Sequence, residues 1–343
     1  MKTKGAATIE GSQSRRVRTA VLVLAFFWMM AAPVLLHAQT CCSGGVPLGG
    51  SLGLGAAENQ ALQILVTYDY NALNDLVDIS EQLDDQTRSR ITHSSIIEVN
   101  YGLTNRFSLT GVLPFIRQER NIQAFGGTED FTAAQGLGDV VLLAKYRLIN
   151  PEKGSDIDWV VGAGPKIPTA KTDFTNNQGL DMAADMQPGS GSLDGIFWSS
   201  FQKNRFLKNP NLGLVAVTTF RYSGKNRNYN DSQTYQFGNE FQFNLGLNYS
   251  LFVKRPVDVF TFFRYRKQTE DMIDGGVFPS SGGQWVYAIP GVNIRFSPDL
   301  SLRLSGDIPL YRKLDGTQLT TSYKLTAAVL FNLPLKKKSM FTN

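Results

Sequence analysis

The sequence predicts an all-β protein, an antiparallel up-and-down transmembrane β-barrel of about 12 strands with short periplasmic turns and long outer loops. Three observations support this fold class. The composition is rich in Gly, Phe and Tyr, residue types common in turns and strands. Apolar and polar residues alternate with a period of two along many segments. Short and long connections also alternate from one end of the chain to the other.

The composition excludes several other classes of protein. Only two Cys and two His occur among 343 residues, and 42% of the residues are hydrophobic. A disulfide-stapled scaffold or a Cys/His zinc protein needs more of these ligands, and a disordered chain has fewer apolar residues. The remaining choice lies between soluble domains and one large β domain.

Residues 1–38 are predicted to be a signal peptide with cleavage after Ala38. An apolar run extends from Ala20 to Leu36 and follows a basic segment. The charged residues of that segment are Lys2, Lys4, Glu10, Arg15, Arg16 and Arg18. An uncleaved membrane anchor is the alternative. Removing residues 1–38 lowers the formal charge of +5 by four, to about +1, so charge gives no reason to expect nucleic acid.

The clearest strand covers residues 235–251. Its odd positions, from Tyr235 to Leu251, are apolar apart from Asn239, whereas its even positions are polar or glycine. Alternate side chains of a strand face opposite sides of the sheet. The segment is longer than the ~5–6 residues of a soluble strand and exceeds the ~9–11 needed to cross a bilayer.

The same alternation predicts twelve strands in all. They are 62–70, 97–101, 107–115, 140–148, 159–167, 194–203, 212–222, 235–251, 257–265, 286–296, 300–308 and 323–333. Short connections fall at 102–105, 149–156, 204–211, 253–256 and 297–298. Long ones fall at 71–89, 119–135, 169–193, 223–234, 270–283 and 314–319. Because a long connection comes first and last, the N-terminus and the C-terminus of the barrel chain both lie on the short-turn side.

A soluble β-sandwich is the alternative, since an apolar strand face also packs a core. Aromatic residues near the ends of the apolar faces favour a membrane barrel, whose interfaces carry aromatic girdles. These residues are Tyr70, Tyr101, Phe107, Tyr146, Tyr222, Tyr265 and Phe296.

The polar faces are expected to line the lumen of the barrel. The expected lumen-lining residues are Glu98, Asp139, Lys145, Arg147, Glu240, Arg264, Arg266, Trp285, Tyr287, Arg303, Asp307 and Lys324, with Phe260 and Phe262 on the same parity. Mixed charge with aromatic rings suits a small amphipathic or aromatic solute. The alternative is that these charges pair with one another and close a rigid interior.

Three predicted strands share a proline near their outer ends: Pro114, Pro168 and Pro309. Proline donates no ladder hydrogen bond and belongs at strand edges, bulges or ends. All three are expected on the inward face. Either they only terminate strands, or they weaken the wall and let solute leave sideways into the membrane.

Short motifs resemble the outer-membrane family described as "Putative MetA-pathway of phenol degradation", which is related to fatty-acid and aromatic-hydrocarbon channels. The motifs are Gly136-Leu137-Gly138-Asp139, Lys145-Tyr146-Arg147-Leu148, Tyr101-Gly102-Leu103-Thr104-Asn105-Arg106-Phe107-Ser108 and Lys166-Ile167-Pro168-Thr169. The resemblance covers most of residues 90–333. It implies a barrel that passes small hydrophobic or aromatic solutes by diffusion, without a cofactor or enzymatic activity.

The barrel is expected over residues 60–335, between a Gly-rich leader (39–59) and a basic tail (336–343). The leader contains Cys41 and Cys42. These residues could form a vicinal disulfide, bind a soft metal such as Cu(I), carry a lipid, or have no specific role. A structural or metal-associated barrel that meets a periplasmic partner through the leader is therefore one alternative function.

A lipid-modifying hydrolase is the second alternative. His93 is the only histidine after the predicted cleavage site, and it is followed by Ser94 and Ser95. An imidazole beside a serine can activate a nucleophile. The sequence shows no phosphate loop. The expected partners are outer-membrane lipid and a small solute.

Overall fold

The structure is a computed structural model that describes residues 55–123, 129–151, 155–176, 178–252 and 256–335. Eighteen strands occur in this part of the chain. They are β1 (Ala61–Asp78), β2 (Glu81–Leu83), β3 (Arg88–Gly102), β4 (Phe107–Gln123), β5 (Glu129–Leu137), β6 (Val140–Ile149), β7 (Ile157–Ile167), β8 (Asp194–Lys203), β9 (Leu212–Tyr222), β10 (Asn226–Tyr229), β11 (Gln233–Gln236), β12 (Glu240–Phe252), β13 (Pro256–Gln268), β14 (Met272–Ile273), β15 (Gly276–Val277), β16 (Gly283–Ser297), β17 (Leu300–Leu314) and β18 (Thr317–Pro334). Two 3₁₀ turns cover Ala184–Met186 and Phe206–Lys208.

Twelve of these strands form a closed antiparallel barrel, as the sequence predicts. The wall strands follow the order β1, β3, β4, β6, β7, β8, β9, β12, β13, β16, β17 and β18. β18 then pairs with β1, from Ala61–Pro334 to Asp78–Thr317. Closure pairs the edges that an open sheet would leave exposed.

The outer surface of the barrel is apolar. Along each wall strand, exposed apolar side chains alternate with side chains that face the interior. Val66, Leu109, Phe263 and Leu325 are 41–55% exposed, and their neighbours in sequence face inward. A soluble sandwich would bury these side chains between two sheets. An apolar outer face around a polar interior is the pattern of a membrane barrel.

The strands are longer than the sequence predicts. β1 continues to Asp78 and β3 begins at Arg88, whereas a loop was expected over 71–89. The apolar alternation marks only the bilayer-facing band, so it cannot reveal where paired strands rise above it.

The predicted strand 235–251 is divided in the structure. β12 begins at Glu240, and Tyr235 belongs to a separate four-stranded sheet of β10, β11, β14 and β15 in the outer loops. Tyr235 and Phe237 pack there against Ala184. Their alternation therefore comes from a loop core rather than from the barrel wall.

The wall contains one broken strand. β4 pairs with β6 from Phe107 to Val112 and with β5 from Phe115 to Gln123. β5 and β6 are thus two parts of one descending strand, separated at Gly138 and Asp139. A Cβ on Gly138 would lie 2.8 Å from the ring of Pro114 and 3.3 Å from the carbonyl of Pro188, so the break requires a glycine there.

Candidate functional site

The expected lumen-lining residues lie on the inward side of the wall. Those that are buried are Glu98, Asp139, Lys145, Arg147, Glu240, Arg264, Arg266, Trp285, Tyr287 and Asp307, and Arg303 and Lys324 are half-buried. Phe260 and Phe262 are buried with them. Their burial shows that these side chains pack against other inward side chains in the described conformation.

Ion pairs connect inward residues from several strands at mid-height. Lys145 Nζ lies 3.6 Å from Glu98 Oε1 and 4.5 Å from the ring centre of Trp198. Arg264 donates to Asp307 Oδ2 at 2.5 Å. Such buried pairs fix side-chain positions, and removing one partner leaves an uncompensated charge.

A second chain of contacts continues around the wall from β17 to β1. Lys324 lies 3.9 Å from Asp307 and donates to Asp69 at 3.2 Å. On the nearby strands β12 and β13, Glu240 accepts two hydrogen bonds from Arg266, at 2.7 and 3.1 Å. The alternative in which interior charges pair with one another therefore describes this conformation well.

The long loop 168–193 folds into the outer end of the barrel. Met182, Met186, Gln187, Ser190 and Ser192 are all buried, with at most 7% exposure. Gln118, an inward residue of β4, donates to the carbonyl of Gln187 at 3.1 Å. A surface loop would leave such residues in water, so this loop packs against the inward face of the wall at its outer end.

Lys166 fastens this loop to the wall. Its Nζ donates to Asp139 Oδ2 at 2.8 Å and lies 3.0 Å from Asp194 Oδ2. It also donates to the hydroxyl of Ser190 in the loop, and Asp139 accepts from the Ser190 amide at 2.9 Å. One buried cation thus joins two wall carboxylates and the loop.

A second attachment lies on β3. Arg90 donates to the carboxylate of Asp185 at 2.5 Å, and it also contacts the Asp185 carbonyl and Gln118. Met182 and Met186 pack beside this attachment on Ala134 of β5. The loop is held at both its middle and its end.

Residues at the start of the described chain occupy the periplasmic end of the interior. Ala56 packs on Val160, Trp198 and Val217, and its carbonyl accepts from Arg147 at 2.6 Å. Residues 55–57, the described end of the Gly-rich leader, therefore pack against inward side chains of the wall.

The outer sheet contains a buried carboxyl group above the wall. Asp271 accepts hydrogen bonds from the Tyr235 hydroxyl and from the Gly238 amide, both at 2.7 Å. Burial raises the pKa of Asp271 despite these donors, because desolvation penalises the charged form. Burial, with the nearby Asp271 charge, also raises the pKa of Tyr235.

Two of the three prolines lie at interruptions of the wall. Pro114 is buried where β4 changes partner from β6 to β5. Pro309 is buried just above Asp307–Lys324, the last pair of the β17–β18 ladder. Pro168 was expected to face inward, and this is wrong: it is exposed and follows the end of β7 at Ile167. Strand parity does not extend past that end.

Sequence reasoning missed several residues of the interior, among them Lys166, Asp194 and Arg312. The first two lie at strand ends, where the alternation is weak. Arg312 was missed because a bulge shifts the β16–β17 register between the pairs Val286–Tyr311 and Tyr287–Pro309. One extra residue in β17 turns Arg312 inward.

The candidate hydrolase residues lie on the outside of the barrel. Ser94 is buried on the inward face, so it cannot pair with His93 on the opposite face. Ser95 and His93 line a surface cavity of about 420 Å³ with Phe115, Arg117 and Glu119. The hydroxyl of Tyr68 lies 2.7 Å from His93 Nδ1, so that ring nitrogen already has a hydrogen-bond partner.

Cys41 and Cys42 lie outside the described residues, as do the predicted signal peptide and the basic tail. In the described ranges, no three His, Cys, Asp or Glu side chains gather closely enough to hold a metal ion.

Within the same ranges, no helix has the length and apolarity required to cross a bilayer.

A family model described as "Putative MetA-pathway of phenol degradation" matches residues 85–325. The chain belongs to this family. The match spans the wall from β3 to β18, so it includes both the interior ion pairs and the inward loop. No protein of curated function matches the sequence.

One solved structure shows the same fold, and another aligns more weakly. An outer membrane channel from Pseudomonas putida F1 aligns with a TM-score of 0.64 at 14% identity, covering 81% of this chain and 97% of that one. The P. putida toluene transporter TodX aligns with a TM-score of 0.42 at 10% identity, covering 86% and 96%. At these identities the first likeness shows the outer-membrane barrel fold alone, and the second is too low to support an argument.

Proposed function

We propose that this member of the family is an outer-membrane channel through which small hydrophobic or aromatic solutes diffuse passively. The single observation that carries the proposal is the inward loop 168–193, which narrows a closed barrel at its outer end. A structural barrel has no need of an adjustable constriction. An interior with aromatic side chains beside charged ones suits small solutes that have an apolar ring and a polar group.

Passage requires the constriction to yield. The loop is attached by Lys166 and Arg90 rather than by wall ladders, so it can move while the twelve strands remain paired. Breaking those attachments exposes the charged groups to water, and their hydration offsets part of the free energy of the lost ion pairs. In this mechanism the loop limits the size of the solute that can pass through the barrel. No energy source is coupled to transport.

The wall interruptions at Pro114 and Pro309 support a sideways exit into the membrane as part of the proposal, whereas Pro168 lies beyond the end of β7 and does not interrupt the wall. The ladder between β17 and β18 ends at the pair Asp307–Lys324 in the described residues. Beyond this pair, β17 continues to pair with β16, and β18 continues to pair with β1. Proline cannot supply the missing amide donors. Joint substitution of the three prolines is expected to slow the entry of apolar solutes while leaving the barrel folded.

The experiment measures the entry of radiolabelled toluene into Gram-negative cells that express the chain, with glucose as the polar control solute. We expect faster entry of toluene and no change for glucose. Equal toluene entry with and without a folded barrel would overturn the proposal.

A His93→Ala variant separates the channel from the hydrolase. The channel proposal predicts unchanged toluene entry in this variant. Lipid hydrolysis by the wild type that disappears in His93→Ala would instead establish enzymatic activity at the outer surface.

A further inference from the structure

The interior of the barrel is unevenly charged. Six inward arginines lie on the adjacent strands β9, β12, β13, β16 and β17, against three inward carboxylates in the described part of these strands. The arginines are Arg221, Arg264, Arg266, Arg295, Arg303 and Arg312, and the carboxylates are Glu240, Asp258 and Asp307. Phe260, Phe262, Trp285 and Tyr287 form a buried aromatic cluster on the same part of the wall. This half of the interior is therefore both basic and aromatic.

Two inward arginines, Arg221 and Arg312, have buried guanidinium nitrogens without a hydrogen-bond partner among the described residues, two atoms in Arg221 and three in Arg312. The Arg312 side chain is 2% exposed, and the three atoms are Nε, Nη1 and Nη2. Asp75 Oδ2 lies 3.5 Å from Nη1, which offsets part of the charge without satisfying the N–H donors. A buried guanidinium normally uses its donors, since leaving them unsatisfied costs free energy.

Arg312 faces inward because the pairing of β16 with β17 is irregular beside it. The segment Ser305-Gly306-Asp307-Ile308-Pro309-Leu310-Tyr311-Arg312 resembles Thr110-Gly111-Val112-Leu113-Pro114-Phe115-Ile116-Arg117. Both prolines are buried, but Arg117 is half exposed on the outer surface. The bulge beside Pro309 reverses the parity at Arg312. Bulges commonly redirect a side chain toward a functional site.

Other unsatisfied polar atoms border the same position. Trp285, the cross-strand partner of Arg312, is fully buried with no hydrogen-bond partner for Nε1. Thr320 Oγ1 and Gln318 Oε1 on β18 are also without partners. These strands flank the part of the wall where the β17–β18 ladder has ended. A bound carboxylate would supply the acceptor that Trp285 Nε1 lacks and could accept from Thr320 Oγ1, whereas Gln318 Oε1 requires a donor.

We propose that Arg312 and Trp285 form a binding subsite for the carboxylate of an aromatic acid. The carboxylate accepts a pair of N–H donors from the Arg312 fork, a geometry that guanidinium and carboxylate share. The ring of the ligand packs on the aromatic cluster. Arg266, whose guanidinium carbon lies 4.6 Å from the Trp285 ring centre, adds a second positive charge close to the same indole.

This inference rests on the proposed function, since it names the class of solute that the channel selects. The competing assignment is that water satisfies Arg312 and that the arginine serves only to hold the wall together through Asp75. The two assignments differ in whether an aromatic anion binds better than a neutral molecule of the same shape.

The test is calorimetric titration of the refolded mature chain in detergent micelles with benzoate and, separately, with benzyl alcohol. We expect wild type to prefer benzoate by at least tenfold. Arg312→Gln is expected to reduce benzoate affinity about tenfold, equivalent to ~1.4 kcal/mol, with no change for benzyl alcohol. Arg117→Gln, the outward arginine of the repeated segment, is the matched control and should bind like wild type.

Equal affinity of wild type for benzoate and benzyl alcohol would overturn the inference. This outcome does not depend on whether any variant folds. Unchanged benzoate affinity in Arg312→Gln would also overturn it, as would equal losses for both ligands. Arg312→Lys keeps the charge and is expected to bind benzoate with intermediate affinity. Toluene entry without benzoate preference would refute this subsite alone, whereas benzoate binding without any solute entry would refute the channel.

Discussion

Lys166 donates a hydrogen bond to Asp139 at 2.8 Å, and neither side chain is exposed to solvent. This contact joins the end of β7 to the break between β5 and β6, where loop 168–193 enters the barrel. Asp194 and Ser190 share the same ammonium group. The contact thus determines whether the outer constriction stays in place.

Lys166→Met is expected to release the constriction. The substitution leaves Asp139 and Asp194 buried without their cation, which typically costs about 3–5 kcal/mol. We expect loop 168–193 to become sensitive to added protease while the strands remain resistant. Lys171→Met, an exposed lysine of the same loop, is the control, and equal protection in both variants would contradict the assignment.

Arg90→Met tests the second attachment of the loop. Loss of its bonds to Asp185 and Gln118 is expected to speed amide hydrogen exchange in residues 182–187, while exchange in the β12–β13 ladder stays slow. Arg117→Met removes an outward arginine from the neighbouring strand and should leave both regions unchanged. Slow exchange in the loop of Arg90→Met would show that this contact does not hold it.

The outer sheet is expected to lose stability as the pH rises. Burial raises the folded-state pKa of Asp271 above its ordinary value of 3.8, so the fold binds this proton more tightly than the unfolded chain does. The stabilising contribution is complete below the ordinary value and is lost as the pH rises through the raised pKa.

Limited proteolysis of residues 223–239 across this pH range measures the effect. Asp271→Asn keeps an acceptor for the Gly238 amide and can donate its NH2 to the Tyr235 hydroxyl oxygen, and it does not titrate, so its protection should vary less with pH than that of wild type. Identical pH profiles for the two proteins would assign the change to another group.

Gly164→Ala is expected to destabilise the barrel by about 1–3 kcal/mol, the usual cost of overpacking. A Cβ at this position would lie 1.9 Å from the backbone oxygen of Leu142, so the adjacent strands must separate. Gly111→Ala is the matched control because its Cβ would meet only the Leu142 side chain, at 3.8 Å. Urea unfolding in lipid vesicles compares the two, and equal midpoints would refute the steric argument.

The barrel itself could be predicted because a wall between lipid and a polar interior imposes one rule on every strand. Alternation therefore revealed twelve strands and placed residues such as Glu98 and Asp307 on the inward side. The same rule failed at Arg312, where a bulge adds one residue, and at Pro168, where the strand has ended. It also misplaced Tyr235, because a loop core and a barrel wall both require alternate apolar residues.

The inward loop could not be predicted from local pattern. Its attachments join residues far apart in sequence, such as Arg90 with Asp185. Met182 and Met186 were the available signals, since apolar side chains are unusual in a loop that was expected to be polar. A lysine at a strand end, such as Lys166, has no local feature that distinguishes it from a solvent-exposed one.

Planar-bilayer conductance of the refolded mature chain tests the central claim most directly, with heat-modifiable gel migration as the folding control. The account predicts discrete ion-conducting steps for wild type and larger steps for Lys166→Met, because releasing the loop widens the same path. A folded barrel that conducts in neither form would contradict the claim that this protein is a channel.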